Sequence, residues 1–286
     1  MSSRYCSGMP SSARTTADGL VDHVCHVYDG PARMRAFAVP HLATGVRLGQ
    51  RVVVLAPEHQ LDLARAVADE ALAEAGVPGA ADVAPLGAVY GDGPVDVPAT
   101  LERVRAVLAA ALADGHAGVR ALCLLTDAVR DPLRRRAFAA WEHAVGAWQS
   151  SQPVASACAY DRSVLGEAAV AELACLHPRT SGHGATPPFR LYTRDGRLVL
   201  DGEIDSFSAS LLQRAVASLR PRAGERLVVD ARGLTFVNHR GLEVLVEGVA
   251  RRTGGLTLLG TRALPAPLRE HLGVPEDLLD VLPWVG

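Results

Sequence analysis

The chain carries histidines and cysteines of the types that bind metal ions. His23, Cys25, His26, Cys158 and His177 would be good zinc ligands if the fold brought them together. Their spacing along the chain contains no ligand pair of the usual structural type. We therefore expect neither a metal ion nor another cofactor.

A nucleophile with helper groups is a second chemical interpretation, because Cys158, Tyr160 and Asp161 have suitable side chains. The apolar run from Val154 to Ala159 instead predicts a buried strand, near whose end Cys158 packs in the core. We favour packing for Cys158 and expect no catalysis.

The sequence contains no lysine, which removes Schiff-base chemistry and the lysine of a phosphate-binding loop. The stretch Arg35 to Leu55 is similar to the one that follows the phosphate loop in RecA-like and KaiC-like ATPases. Upstream of it, at residues 28–33, a single glycine is followed by proline, which has no amide to donate. This resemblance implies a RecA/KaiC-like outline whose phosphate loop is degenerate.

The composition is that of a folded chain, with 49% hydrophobic and 21% charged residues among 286. A formal net charge of -2 offers no positive excess to attract nucleic acid or anionic lipid. The five cysteines are widely spaced, which favours a reducing cytoplasm over a disulfide scaffold. We recognise no leader, and no apolar run reaches the roughly 18 residues that span a bilayer, so we expect a cytoplasmic protein.

Two stretches without hydrophobic periodicity divide the chain. Residues 1–19 are rich in Ser, Thr, Gly and Ala and predict a disordered tail. Residues 180–188 combine small flexible residues with a proline pair and predict a linker. We expect one α/β domain over residues 20–179 and a smaller α/β domain over residues 189–286.

In the first domain, short apolar runs alternate with amphipathic ones, which predicts a three-layer α/β fold with a parallel sheet covered on both faces. The predicted elements are strands at 51–56 and 120–126 and helices at 62–75, 100–114 and 131–148. In the second domain, Asp195-Gly196 suits a tight hairpin turn between strands at 189–193 and 197–200. Helices at 206–219, 239–252 and 267–272 and strands at 226–230 and 256–259 follow.

Two segments of the second domain, Leu200–Asp205 and Val228–Leu242, resemble the signatures of STAS domains in order and spacing. The resemblance covers Phe189 to Val285. It implies a STAS-type α/β fold that contacts kinase-type anti-sigma factors through a loop and the start of a helix. The residues it assigns to this contact are Asp205, Ser206, Asn238, His239, Arg240 and Gly241.

The contact loop departs from the family pattern. Asn238 and His239 stand where members commonly carry Asp-Ser, so the hydroxyl that a partner kinase phosphorylates is missing and we expect no phosphorylation there. We expect Phe236 and Val237 to anchor a strand end in the core. An interpretation of about equal weight is that Asn238 only caps the helix and Gly241 only allows close packing.

Landmarks along the first domain resemble the MEDS domain, a sensory module named from methanogen and methylotroph regulators. They are His23–Tyr28, Trp141-Glu142, Cys158–Arg162 and Leu176–Pro178, and the resemblance runs from Val21 to Arg179. It implies a ligand-sensing domain, and such a site is mostly apolar with a few polar groups. The candidate ligand-binding residues are His23, Tyr28, Glu142, Tyr160, Asp161 and His177.

Together the two resemblances predict a non-catalytic bacterial regulator that acts like an anti-sigma factor antagonist. A small organic ligand or a partner acting on the first domain would control binding of a kinase-type anti-sigma factor by the second. One alternative is a RecA-like nucleotide-binding enzyme, for which Asp127 would be the key carboxylate. Another is a scaffold in a larger stress-signalling assembly. We expect no nucleic acid and no membrane as a partner.

Overall fold

The computed structural model describes residues 21–77, 81–184, 186–221, 224–260, 273, 275 and 278–282. The predicted tail over 1–19 and the predicted short helix over 267–272 lie outside these residues. Within the described residues, no helix combines the length and apolarity needed to cross a membrane.

A fully parallel sheet forms the first half of the described chain, in the order β3-β2-β4-β5-β1-β6. Its strands are β1 (Asp22–Tyr28), β2 (Arg51–Ala56), β3 (Asp82–Pro85), β4 (Val119–Leu124), β5 (Val154–Asp161) and β6 (Arg179–Gly182). The predicted parallel sheet is confirmed, and β2 has the predicted bounds.

Helices cover both faces of this sheet, and each face has its own apolar core. The helices are α1 (Pro31–Arg47), α2 (Leu61–Ala75), α3 (Gly87–Tyr90), α4 (Val97–Ala113), α5 (Thr126–Val129), α6 (Pro132–Gln149) and α7 (Arg162–Ala174), with a 3-10 turn at Glu58–Gln60. α1 and α2 pack on one face, and α3, α4, α6 and α7 pack on the other.

Aspartates set the starts of α4, α6 and α7. The side chains of Asp96, Asp131 and Asp161 accept hydrogen bonds from backbone amides of the first turn, which would otherwise lack partners. Because Asp96 is the cap, α4 begins before the predicted Thr100.

A second sheet follows in the order β10-β8-β9-β11-β12, with β7 paired to β8. Its strands are β7 (Phe189–Arg194), β8 (Arg197–Ile204), β9 (Leu227–Asp230), β10 (Leu234–Val237), β11 (Leu256–Leu259) and β12 (Leu279–Leu282). Its helices are α8 (Ala209–Ser218) and α9 (His239–Gly248), with a 3-10 turn at Ala250–Arg252. β9 and β10 pair in parallel with successive parts of β8, and β7 pairs with β8 antiparallel.

The predicted hairpin turn is confirmed. Asp195 and Gly196 have φ values of 50° and 70°, the left-handed backbone that suits a two-residue turn between twisted strands.

Two predictions need correction. Residues 180–182, predicted as linker, belong to β6 because their backbone pairs with β1 at the edge of the first sheet. Phe236, predicted to anchor the core, is 48% exposed, whereas Val237 is buried, because successive side chains of a strand point to opposite faces.

Candidate functional site

A group of four ionisable side chains lies between the first sheet and helices α6 and α7. It consists of His23 on β1, Glu142 on α6, Cys158 on β5 and His177, which follows α7. One potential ligand atom from each residue lies within 4.8 Å of those of the other three, and all four residues are buried. We call this group the His-Glu-Cys cluster.

Strand alternation explains why His23 and Cys158 meet. β1 and β5 are adjacent and parallel, with the Cα of His23 beside Ser156 and that of Cys25 beside Cys158. Since side chains alternate between faces, His23, Cys158 and Tyr160 all project toward α6 and α7.

Glu142 lies at the centre of the cluster. Its Oε2 is 3.2 Å from His23 Nε2 and 3.4 Å from His177 Nε2, and the Tyr160 hydroxyl donates to its Oε1 at 3.0 Å. Cys158 Sγ is 3.7 Å from His23 Nε2. These contacts converge on a small volume between Oε2, the two Nε2 atoms and the sulfur.

The electrostatics of the cluster follow from its burial. Burial lowers the pKa of His177 to about 4, although the charge of Glu142 opposes this. Burial raises the pKa of Glu142, but the neighbouring His177 and His23 and the hydrogen bonds from His23 and Tyr160 lower it by more. The centre of the cluster is therefore a carboxylate, and a buried carboxylate requires a nearby cation.

Three buried cysteines stand side by side on adjacent strands of the same sheet. Cys25 on β1 and Cys123 on β4 are both register partners of Cys158 on β5. All three are free thiols, and burial raises their pKa values, to about 12 for Cys123. We call them the cysteine row; only Cys158 belongs to the His-Glu-Cys cluster.

An apolar cavity of about 70 Å³ adjoins the cluster on the same face of the sheet. His23 and Cys158 form part of its wall, and most of the rest comes from aliphatic and aromatic side chains of the sheet, α3, α4 and α6. Representative lining residues are Tyr90, Leu108, Trp141 and Trp148. A cavity of this composition suits a small apolar molecule held by a few polar contacts.

The six ligand-binding candidates separate into two groups. Among them, His23, Glu142, Tyr160 and His177 come together at the cluster. Tyr28 and Asp161 are register partners at the carboxyl ends of β1 and β5, away from it.

Asp161 has a structural role at that edge, because its side chain caps α7 and its amide donates to the Thr126 hydroxyl at 2.9 Å. Cys158 packs in the core, as predicted, and also belongs to the cluster, which was not predicted. The signal that could have found it is its position two residues before Tyr160, which places both on one face of a strand.

The residues assigned to partner contact lie at one end of the second sheet. Asp205 accepts hydrogen bonds from the amides of Phe207 and Ser208, and the Asn238 side chain donates to Ser206 Oγ at 2.8 Å. Asn238 also accepts from the Gly241 amide at 2.8 Å, so the predicted helix cap is confirmed.

Phe207 is 92% exposed beside these residues, and sequence reasoning did not single it out. His239 and Arg240 are exposed as well. We call this region the tip surface, and it consists of Asp205, Ser206, Phe207, Asn238, His239 and Arg240.

Gly241 does not belong to the tip surface. It is buried, and a Cβ there would lie 2.4 Å from Ile204 Cγ2 and 3.1 Å from Val237 Cγ2. The structure therefore gives Gly241 a packing role between α9 and the sheet, and its assignment to partner contact stays a prediction.

The parallel α/β sheet, the buried polar cluster and the apolar cavity all lie in the part of the chain that matches a family of sensory domains. The chain matches the family model described as "MEDS: MEthanogen/methylotroph, DcmR Sensory domain" over residues 22–178, more than half of its length. The chain therefore belongs to the MEDS family and has a sensory role. No curated protein and no solved structure matches the chain.

Proposed function

We propose that this chain is a non-catalytic signalling regulator that acts like an anti-sigma factor antagonist. The MEDS domain would sense a small organic ligand, and residues 189–286 would form a STAS-type domain that binds a kinase-type anti-sigma factor. The observation that carries the proposal is that α6 takes part in both the cavity and the contact with the second sheet.

One side of α6 faces the cavity and the cluster, where Trp141, Trp148 and Glu142 lie. The other side packs against β7 and α8. A Cβ added at Gly146 would lie 3.7 Å from both His23 Nδ1 and the Thr193 carbonyl oxygen, so β1 and β7 both approach α6 closely at this position. A ligand that displaced α6 would therefore disturb the second sheet.

The segment after α7 makes a second connection. Cys175 and Leu176 belong to the apolar core of the second sheet, and the next residue, His177, belongs to the His-Glu-Cys cluster. The Cys175 carbonyl accepts a hydrogen bond of 2.7 Å from the amide of Leu191 on β7. Movement of His177 would thus act directly on the start of the second sheet.

Two features support a role without nucleotide turnover. The connection between β1 and α1 is only Asp29 and Gly30, and Pro31 is the first residue of the helix. A loop that wraps a triphosphate needs several converging amides and a lysine, and the sequence has no lysine.

The tip surface supports binding of a protein partner. Hydrogen bonds of Asp205 and Asn238 fix its backbone, and the exposed aromatic ring of Phe207 is of the type that dominates protein interfaces. Because His239 has no hydroxyl, control of binding would come from the MEDS domain rather than from phosphorylation of this position.

The test is binding of the full chain to purified kinase-type anti-sigma factors of its source organism, measured by size-exclusion chromatography and calorimetry. Phe207→Ser should weaken binding at least about tenfold, as expected for an aromatic hot spot. Leu133→Ser is the matched control, because Leu133 is 71% exposed on α6 and distant in sequence from the tip. Absence of binding to all such factors, or equal loss in both variants, would refute the proposal.

A further inference from the structure

Two buried atoms of the cluster, His177 Nε2 and Glu142 Oε2, face each other with no hydrogen atom between them. His177 Nδ1 lies 2.9 Å from the Leu173 carbonyl oxygen, which can only accept, so Nδ1 carries the proton of the neutral ring. Its Nε2 then presents a lone pair to Glu142 Oε2 at 3.4 Å. His177 Nε2 has no hydrogen-bond partner among the described residues, and its lone pair and that of Glu142 Oε2 repel each other unless a cation lies between them.

A single proton does not account for the whole arrangement. Protonation of His177 would join it to Glu142, but His23 Nε2 and Cys158 Sγ approach the same point from the sheet. A cation that accepts several lone pairs at once fits all four residues.

The distances match those of a tetrahedral metal site. Bonds of roughly 2.0–2.3 Å to N, O and S ligands give edges of roughly 3.3–3.7 Å between neighbouring ligand atoms. Three of the six edges of the cluster are 3.2 Å, 3.4 Å and 3.7 Å, and the other three are no longer than 4.8 Å. The longer edges would have to shorten by roughly 1 Å for an ion to bind, which side-chain rotation can supply.

The charges also balance. Two neutral imidazoles, one carboxylate and one thiolate carry a total charge of -2, which a divalent ion neutralises. A coordinated thiol loses its proton to solvent on binding, even though burial raises the pKa of Cys158 when no ion is bound. The resulting neutral centre is compatible with a fully buried position.

The outer contacts are those of a metal site. A histidine ligand usually donates its other ring N–H to a carbonyl or carboxylate, as His177 does to Leu173, and a carboxylate ligand is usually hydrogen-bonded, as Glu142 is by Tyr160. These contacts fix the two side chains in the orientation that coordination requires.

We propose that His23, Glu142, Cys158 and His177 bind one divalent transition-metal ion, with Zn²⁺ as the best match. The donor set of two nitrogens, one oxygen and one sulfur excludes Mg²⁺ and Ca²⁺, which take oxygen ligands. All four tetrahedral positions come from the protein, as in sites that stabilise a fold. This inference reverses the expectation from sequence spacing, and it does not depend on the proposed function.

The test uses the full chain, stripped with a chelator and reloaded with Zn²⁺ or Co²⁺. We expect one tightly held Zn²⁺ per chain by elemental analysis, and a higher unfolding temperature after reloading. The Co²⁺ form should show the intense ligand-field bands of tetrahedral coordination and a thiolate-to-cobalt charge-transfer band. A reloaded chain with substoichiometric metal and an unchanged unfolding temperature would overturn the proposal.

Substitutions of individual proposed ligands test where the ion binds. Cys158→Ser should abolish the thiolate-to-cobalt band, and Glu142→Gln should weaken metal binding at least about tenfold. Cys123→Ser is the matched control, because Cys123 is an equally buried neighbour of Cys158 that lines the same cavity but is not in the cluster. The control should keep the band, and equal behaviour of the two cysteine variants would contradict the assignment.

If Cys158→Ser fails to fold, X-ray absorption spectroscopy of the reloaded wild-type chain still tests the proposed ligand set. The zinc edge should show one sulfur and three nitrogen or oxygen ligands, and any other ligand set would overturn the proposal. These measurements use no protein partner, so their failure is distinguishable from failure of the proposed regulatory function.

Discussion

Arg214 on α8 forms an ion pair of 2.8 Å with Glu172 on α7, which connects the helices of the second sheet to those of the first. Glu172 also pairs with Arg135 on α6 at 2.7 Å. One partly buried carboxylate therefore holds together three helices from both halves of the described chain.

Glu172→Gln should lower the free energy of unfolding by about 1 kcal/mol, because it leaves two arginines without their anion in a partly buried position. Hydrogen exchange should rise in α8 more than in α4. Glu102→Gln is the control, because Glu102 pairs with Arg105 on the exposed side of α4. Equal effects of the two variants in chemical denaturation would contradict the connecting role of Glu172.

Gly45→Ala should destabilise the chain by about 1–3 kcal/mol, because α1 lies too close to β4 for a side chain. A Cβ at Gly45 would lie 2.6 Å from Cδ and 2.7 Å from Cβ of Arg120, whose side chain is buried and donates to Gln50 Oε1. Gly93→Ala has open space around it and is the control. Urea denaturation of both variants measures the difference, and a neutral Gly45→Ala would show that the helix can move away.

Acid should weaken the fold through His26. Burial lowers its pKa to about 4, whereas an unfolded histidine titrates near about 6.5. The unfolded chain therefore binds more protons between these values, and the free energy of unfolding falls as the pH decreases through this window.

His26→Asn should reduce that slope by up to about 1.4 kcal/mol per pH unit, because it removes one titrating group. Denaturation curves from about pH 4 to pH 8 measure the slope. At the upper end, where the ring is neutral in both states, the variant should show only a constant offset from lost stacking on Phe37 and the altered hydrogen bond to Ser181. Identical slopes in the two proteins would be inconsistent with this account.

Asn238→Ala should lower stability by about 1 kcal/mol, because α9 loses its cap. It should also loosen the tip surface, since Ser206 loses its hydrogen bond to the Asn238 side chain. Asn238→Asp keeps the cap but not the donor, so it separates stability from tip order. Thermal unfolding gives the first effect and amide exchange of residues 205–208 gives the second; loss of stability in both variants would argue against the cap.

The strands and helices that the sequence predicts well are those with strong local patterns. β2 has a continuous run of Val and Leu between Arg51 and Ala56, and its bounds agree with the prediction. β6 was hidden, because Arg179–Gly182 is polar and becomes a strand only by pairing with the edge of β1. Phe236 was misplaced because an aromatic residue next to Val237 does not reveal which face of the sheet is covered.

The candidate site could be predicted only in part, because its residues come from distant parts of the chain. His23 and Cys158 are 135 residues apart, and their contact depends on β5 pairing directly with β1. Local spacing carries no information on strand order. The search for metal-ligand pairs at short sequence spacing therefore could not identify the cluster. The residue types themselves were visible, and His23, Glu142, Tyr160 and His177 were named from the MEDS resemblance.

The cysteine row has a practical consequence. Cys25, Cys123 and Cys158 lie in the middle of the first sheet and face the helices that cover it, so alkylating reagents reach them freely only when those helices move away. The rate at which their peptides gain a label, followed by mass spectrometry, measures how often the centre of the sheet opens. An ion bound at Cys158 should slow labelling of that thiol most. The labelling rates of Cys25 and Cys123 then measure opening that does not depend on the metal within the same molecule.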